Sequence, residues 1–222
     1  MSLKYNIKNN NTKTYVYFKP TESNNLDDIK MLLDDGNINV YPNNEDVNVN
    51  SYNSYKNVTD YIFRIINNPE FLCKGLNPDY ISESFNSADA VVIIGSSINI
   101  LPNGNIFGFA LINFDETHNS IYIDVICSHT GIKGAGDILI RTIQDISRKL
   151  VMTKIYLTSV KDAISFYEKY GFIKYDITCD DMCVMIKSLK IKTGGKKRKT
   201  NKQKKIKKNK KTRKHGVYYK VK

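Results

Sequence analysis

The residues best suited to chemistry sit together in Gly131–Gly136, read as GIKGAG. Three glycines in six positions strip side chains from a turn, so backbone N–H groups can converge on an anion. What flanks the turn decides what it can do. Before it, Ser120–Cys127 (SIYIDVIC) is apolar and β-branched, the composition of a strand buried on both faces. After it, Leu139, Ile143, Ile146 and Leu150 recur at spacings of 4, 3 and 4, which lines one face of a helix. A helix opening at Asp137 directs about half a positive charge at whatever the turn holds. In outline this is a phosphate cradle. It is not a Walker A loop, because no Lys-Ser/Thr pair follows. Nor is it a dinucleotide fingerprint, because the glycines run G-x-x-G-x-G rather than G-x-G-x-x-G.

A second segment, Lys154–Phe172 (KIYLTSVKDAISFYEKYGF), follows about thirty residues later. Ile155–Thr158 reads as a short strand. Ser159 and Asp162 stand at capping-box spacing to open a helix, and Gly171 is placed to close it in the left-handed region. The order strand, glycine turn, helix, strand, then A-x-x-F-Y-x-x-x-G-F resembles the GNAT superfamily of acyl-coenzyme A N-acyltransferases. That family's pyrophosphate motif is Q/R-x-x-G-x-G/A, matched here at both glycines, Gly134 and Gly136, and not at the first position, which is Gly131. Its later motif is matched at Ala163, Phe166, Tyr167, Gly171 and Phe172. The resemblance covers Ala90–Leu189.

The resemblance implies a mixed α/β fold with a mostly antiparallel sheet flanked by helices. It implies acetyl-coenzyme A as cosubstrate, with no metal. The pantetheine arm would enter between the central strand and a splayed parallel neighbour, meeting backbone at Asp124, Val125 and Ile126. An N–H near Ile126 would face the thioester oxygen. The pyrophosphate would rest on amides of Ile132, Lys133, Gly134, Ala135, Gly136 and Asp137, where Lys133 is either a further phosphate contact or a solvated lysine. Tyr167 matches the tyrosine that protonates the departing thiolate in many members; the competing reading is a core aromatic beside Phe166 and Tyr170. Some members carry a glutamate base on the central strand where Tyr122 stands here, and a phenol is a poor base at neutral pH. Asp124, two residues on and on the same strand face, is the alternative base or a cation attractor. His129 reads as a surface histidine.

The implied activity is transfer of an acetyl group to a primary amine by direct attack in a ternary complex. The acceptor stays open among protein lysine, protein N-terminus, polyamine and small molecule. The two motif departures leave a second reading, a weak or inactive member held on nucleic acid by its tail, and a third, a coenzyme-binding sensor or structural module.

The chain divides by charge into 1–189 and 190–222. Residues 190–222 hold 17 of the 34 Lys+Arg and none of the 22 Asp+Glu, which leaves 17 basic against 22 acidic residues in 1–189. An acidic body therefore carries a lysine-rich tail hinged at Gly194-Gly195. The tail is too charged to form a core and is expected to be disordered alone. It suits nucleic acid or another polyanion, and resembles nuclear targeting runs and the tails of some large-DNA-virus proteins; a solubilising role, or pairing with the acidic body, is the plain alternative. No apolar run reaches the ~20 residues of a membrane span, and no secretory signal is visible. The four cysteines, Cys73, Cys127, Cys179 and Cys183, lack zinc-site spacing and read as buried free thiols in an intracellular, reducing compartment.

Along the body, Thr14–Phe18 reads as the first strand, Leu26, Ile29 and Leu33 as a short helix ending at Gly36, and 37–57 as an exposed Asn-rich loop. Thr59–Ile66 reads as a helix stopped by Asn67-Asn68-Pro69, and Asn77-Pro78 opens another through Phe85. Ala90–Ser96 and Ile106–Phe114 are expected as strands joined at Asn103-Gly104, and Ile173–Thr178 with Met182–Leu189 as a closing hairpin.

Overall fold

A computed structural model describes residues 5–6, 12–19, 38–41, 55–66, 73, 76–96, 106–129, 131–176 and 179–190. All of them lie in the unit Met1–Ile191, one of two into which the chain divides. The expected helix over Leu26–Leu33, the Asn103-Gly104 turn and the tail beyond Lys190 lie outside the described residues.

Runs of β-branched and aromatic residues form the ten strands named here: β1 (Tyr5–Asn6), β2 (Thr12–Phe18), β3 (Ile38–Tyr41), β4 (Ala90–Ser96), β5 (Ile106–Asp115), β6 (Ser120–Ser128), β7 (Ile132–Lys133), β8 (Lys154–Val160), β9 (Ile173–Lys174) and β10 (Met182–Ser188). Eight of them form one sheet in the order β3-β2-β4-β5-β6-β8-β10-β9, while β1 pairs with β7. Within the large sheet only β2–β3 and β6–β8 run parallel, so the expected mostly antiparallel α/β sheet is what is found. The helices are α1 (Tyr55–Ile66), α2 (Pro78–Ser87), α3 (Ala135–Lys149) and α4 (Ile164–Glu168).

Each sheet face has its own core. Leu139, Ile140, Ile143 and Ile146 of α3 are fully buried against Val92, Ala110, Ile112, Ile121 and Ile123, with Tyr167 and Phe172 in the same cluster. Burial of each such aliphatic side chain is worth about 2 kcal/mol as an upper figure. On the opposite face, Val58 and Ile62 of α1 and Ile81 and Phe85 of α2 pack on Val91, Ile93, Phe109, Leu111, Val125 and Cys127.

Strand β6 serves both cores. Its register against β5 passes from Ile112↔Ile123 to Leu111↔Val125, so Asp124 is an extra residue, a β-bulge. Ile121 and Ile123 consequently belong to the α3 core, whereas Val125 and Cys127 belong to the α1–α2 core.

Three expectations are corrected. Residues 38–41 are a strand parallel to β2 rather than part of a loop. Ser159 does not cap a helix: β8 continues to Val160 because Met182 of β10 pairs there, and the Ser159 hydroxyl donates to Val160 O. A single 3₁₀ turn, Lys161–Ala163, then leads into α4 without a side-chain cap. The cysteines are not free thiols: Cys73 is bonded to Cys127 and Cys179 to Cys183, with Cα separations of 5.1 and 5.0 Å. Sequence spacing carried no sign of the first pair, because 54 residues separate its members and only the fold brings Cys73 to β6.

Candidate active site

The parallel pairing of β6 with β8 runs from Ser120↔Lys154 to Ile123↔Leu157 and stops there. Beyond it β8 pairs with β10 as far as Val160, while β6 stays with β5 to Ser128. From Asp124 onward the β8-facing edge of β6 is therefore open. The opening coincides with the bulge, which bends and twists the strand that carries it.

The opening runs toward a cleft of about 300 Å³ lined by Ile126, Ser128, Gly134, Ala135, Gly136, Asp137, Phe166 and Tyr167. Its floor is the start of α3. Gly134 caps that helix at φ +97°, a region that disfavours side chains, and makes no side-chain capping bond. A Cβ built there would meet nothing within 4 Å, so the space above it is free for a ligand. The first helical bond is Ile138 N–H to Gly134 O, which leaves the first-turn N–H groups of Ala135, Gly136 and Asp137 without helical acceptors. These donors, the helix dipole and the missing Cβ fit a phosphate group.

The turn before Gly134 is occupied with its own structure. Gly131 N–H donates to His129 Nδ1 at 3.0 Å and Ile132 N–H to His129 O at 3.1 Å. His129 thus shapes the loop, and the amides left for an anion begin later than the sequence pattern implied. Ile132 packs on the α3 core, Lys133 is exposed on β7, and neither lines the cleft. The Val125 side chain is buried in the other core, which leaves only its backbone to serve the opening. Ile126, Gly134, Ala135, Gly136 and Asp137 are all at the cleft.

Tyr167 is 7% exposed, with its ring edge-on to Phe166 at 5.1 Å and to Phe172 at 5.9 Å between centroids. Burial pushes its pKa up to about 12. The α4 segment reaches the cleft because Gly171, at φ +81°, reverses the chain as expected, and Gly136 leaves room for Phe166. A Cβ at Gly136 would lie 3.1 Å from Phe166 Cζ. Tyr170 donates to Asp137 Oδ1 and ties the end of this turn to the first turn of α3.

On the α1–α2 face, the bulge presents Asp124. Its Oδ1 accepts a 2.6 Å hydrogen bond from the hydroxyl of Tyr80 on α2. Tyr122 lies on the same face, its hydroxyl 3.3 Å from Thr158 Oγ1. Three contributors were missed from sequence. Ser128 and Phe166 line the cleft, and Phe166 could have been found from its place in the matched motif. Tyr80 belongs to no motif, and only the fold brings it to Asp124. Among the described residues, no group of three or more metal-ligating side chains converges, and no helix is long and apolar enough to cross a membrane.

Residues 64–172 match the model of the acetyltransferase (GNAT) family. This segment is a GNAT-family acetyltransferase domain. No curated protein matches the chain in sequence. Among solved structures, the GNAT domain resembles Tetrahymena GCN5 at 16% identity, over 65% of this chain and 93% of that one, with a TM-score of 0.47. It resembles Arabidopsis thaliana Naa50, solved with the bisubstrate analogue CoA-Ac-MVNAL, at 22% identity over 60% and 93%, with a TM-score of 0.42. Nourseothricin acetyltransferase aligns at 17% identity over 45% of this chain and 64% of its own length, with a TM-score of 0.37.

Proposed function

We propose that the domain is an N-acetyltransferase that uses acetyl-coenzyme A and a primary amine in one ternary complex. The observation that carries this reading is the open edge of β6 beyond Ile123, continuous with a cleft floored by the start of α3. An extended arm can add to that edge by backbone hydrogen bonds, as a strand would. The N–H groups of Ala135, Gly136 and Asp137 would hold the pyrophosphate.

Bound there, the cosubstrate would supply an acetyl thioester, whose carbonyl oxygen gains charge and whose sulfur departs when an amine attacks. The chain's residues have three tasks. A β6 amide near Ile126 donates to the oxygen as it becomes negative. Asp124, ionised, attracts the incoming ammonium group and takes a proton from it, leaving the lone pair free. Tyr167 stays protonated at every working pH because its pKa is about 12, so it always has a hydrogen to donate to the sulfur. As an acid it is weaker than a solvated thiol, near 8.5, so it transfers that proton only to a sulfur desolvated in the same cleft. Tyr122, a phenol facing Thr158, helps shape the acceptor side.

Release of free thiol from acetyl-coenzyme A, measured over a panel of alkyl amines, polyamines and peptides, tests the reading. Tyr167→Phe should lower kcat by about 100-fold or more, the scale of general acid catalysis, with coenzyme A affinity retained. No thiol release with any amine would overturn the proposal, and an unchanged kcat in Tyr167→Phe would make Tyr167 a core aromatic only.

A further inference from the structure

Tyr80 sits in the first turn of α2, whose start is fixed by Pro78 and by Asp79 N–H donating to Asn77 Oδ1 at 2.9 Å. The next residue, Ile81, and Phe85 one turn on are buried in the sheet core, so the helix cannot slide without opening that core. Tyr80 itself is 41% exposed, with its hydroxyl on Asp124. The link before α2 is tied to the same strand by the Cys73–Cys127 bond, three residues past Asp124. Two connections therefore hold the start of α2 against β6 at the point where β6 leaves β8.

We propose that Tyr80 is a positioning residue: it fixes one carboxylate oxygen of Asp124 so that the other faces an acceptor arriving as a primary ammonium group. This rests on the acetyl-transfer reading and specifies how its acceptor is recognised. An ionised carboxylate has two oxygens and about four lone-pair sites. The 2.6 Å bond occupies Oδ1 and removes the side chain's freedom to rotate it away. Oδ2 then stands as a directed acceptor beside the open edge. Burial, then the Asp124 hydrogen bond and charge, push the Tyr80 pKa up to about 12, which keeps the phenol a donor and never a competing base. The balance is simple: one proton leaves the ammonium nitrogen for Oδ2, and Tyr80 keeps its own.

The test is a double-mutant cycle on the full chain with n-butylamine as acceptor. Tyr80→Phe keeps the ring and removes only the hydroxyl. It should lower kcat/KM for the amine about tenfold, the scale of one charge-assisted hydrogen bond, with the KM for acetyl-coenzyme A unchanged. In the Asp124→Asn background the same substitution should cost nothing further, because the carboxylate it serves is gone. An equal loss in both backgrounds, or no loss in either, would overturn the proposal. Calorimetric titration of n-butylammonium into the coenzyme A-loaded protein supplies an arm independent of turnover. If the parent binds the ammonium without reacting, the acetyl-transfer reading falls, and a tenfold loss of binding in Tyr80→Phe still upholds the positioning role. Absence of ammonium binding in the parent, or equal binding by parent and Tyr80→Phe, would overturn it.

Discussion

The two faces of the sheet build their halves of the site from different materials. On the α3 face the cleft is largely backbone: unpaired N–H groups, a left-handed glycine, and glycines that leave space for a ring or a ligand. On the α1–α2 face the work falls to side chains, a carboxylate from β6 held by a phenol from a separate helix. Backbone recognition needs particular spacings of small residues, and side-chain recognition needs two distant segments to meet. The first kind is conservative in pattern; the second can be rebuilt by changing one residue.

The sharpest way to break this contrast is to exchange its consequences. Asp124→Asn should lower kcat by about 100-fold or more and leave coenzyme A affinity, read by calorimetry, within twofold or so. Gly134→Glu should do the reverse, weakening coenzyme A by about 100-fold through like-charge repulsion while n-butylammonium binding is kept. If both substitutions damage both ligands equally, the division between the two faces is wrong.

The next effect concerns the covalent tie. The Cys73–Cys127 pair spans 54 residues, so chain-entropy arguments give it about 4 kcal/mol of stability, and Cys73→Ser should lose that in urea unfolding. The Cys179–Cys183 pair spans only 4 residues and should be worth about half as much. Loss of the first should also raise the KM for the amine, because the start of α2 loses one of its two holds on β6. An unchanged amine KM would show that Tyr80 and the buried Ile81 and Phe85 place the helix without the disulfide.

The smallest effect separates the two phenols by cause. Both Tyr167 and Tyr80 are pushed up to about 12, the first by burial, the second by burial and then by Asp124. The unfolded chain releases phenol protons near pH 10, whereas the folded chain holds these two longer. Their stabilising share is thus complete below pH 10 and is lost as pH rises toward 12. Followed by tyrosinate absorbance, Asp124→Asn should bring one phenol's titration to lower pH and leave that of Tyr167 in place.

The same contrast explains what could be read from the chain alone. Asn77-Pro78 starts α2, Gly171 closes the α4 turn, and the glycine turn opens α3, because each is a local device that carries its own geometry. The α3 core follows from its spacing of 4, 3 and 4. Where reading failed, a distant partner had intervened. Ser159 had the spacing of a cap, but pairing with β10 kept it in a strand. Residues 38–41, Ile-Asn-Val-Tyr set in an Asn-rich stretch, became a strand because β2 offered an edge. The Tyr80–Asp124 contact and the Cys73–Cys127 bond join positions 44 and 54 residues apart, and no local pattern encodes either.

The bulge at Asp124 has a consequence for how this chain can change. Before it, odd-numbered residues of β6 supply one layer; after it, odd-numbered residues supply the other. Loss of that one residue would restore ordinary alternation with Val125 and Cys127 still in their present layer and the Cys73 bond in place, and would remove the bend and the carboxylate together. Elsewhere in the strand loss of one residue would turn every later side chain over, whereas at this point both cores keep their register. Substitutions are open there too, so the α1–α2 side of the cleft is free to vary in chemistry without disturbing either core.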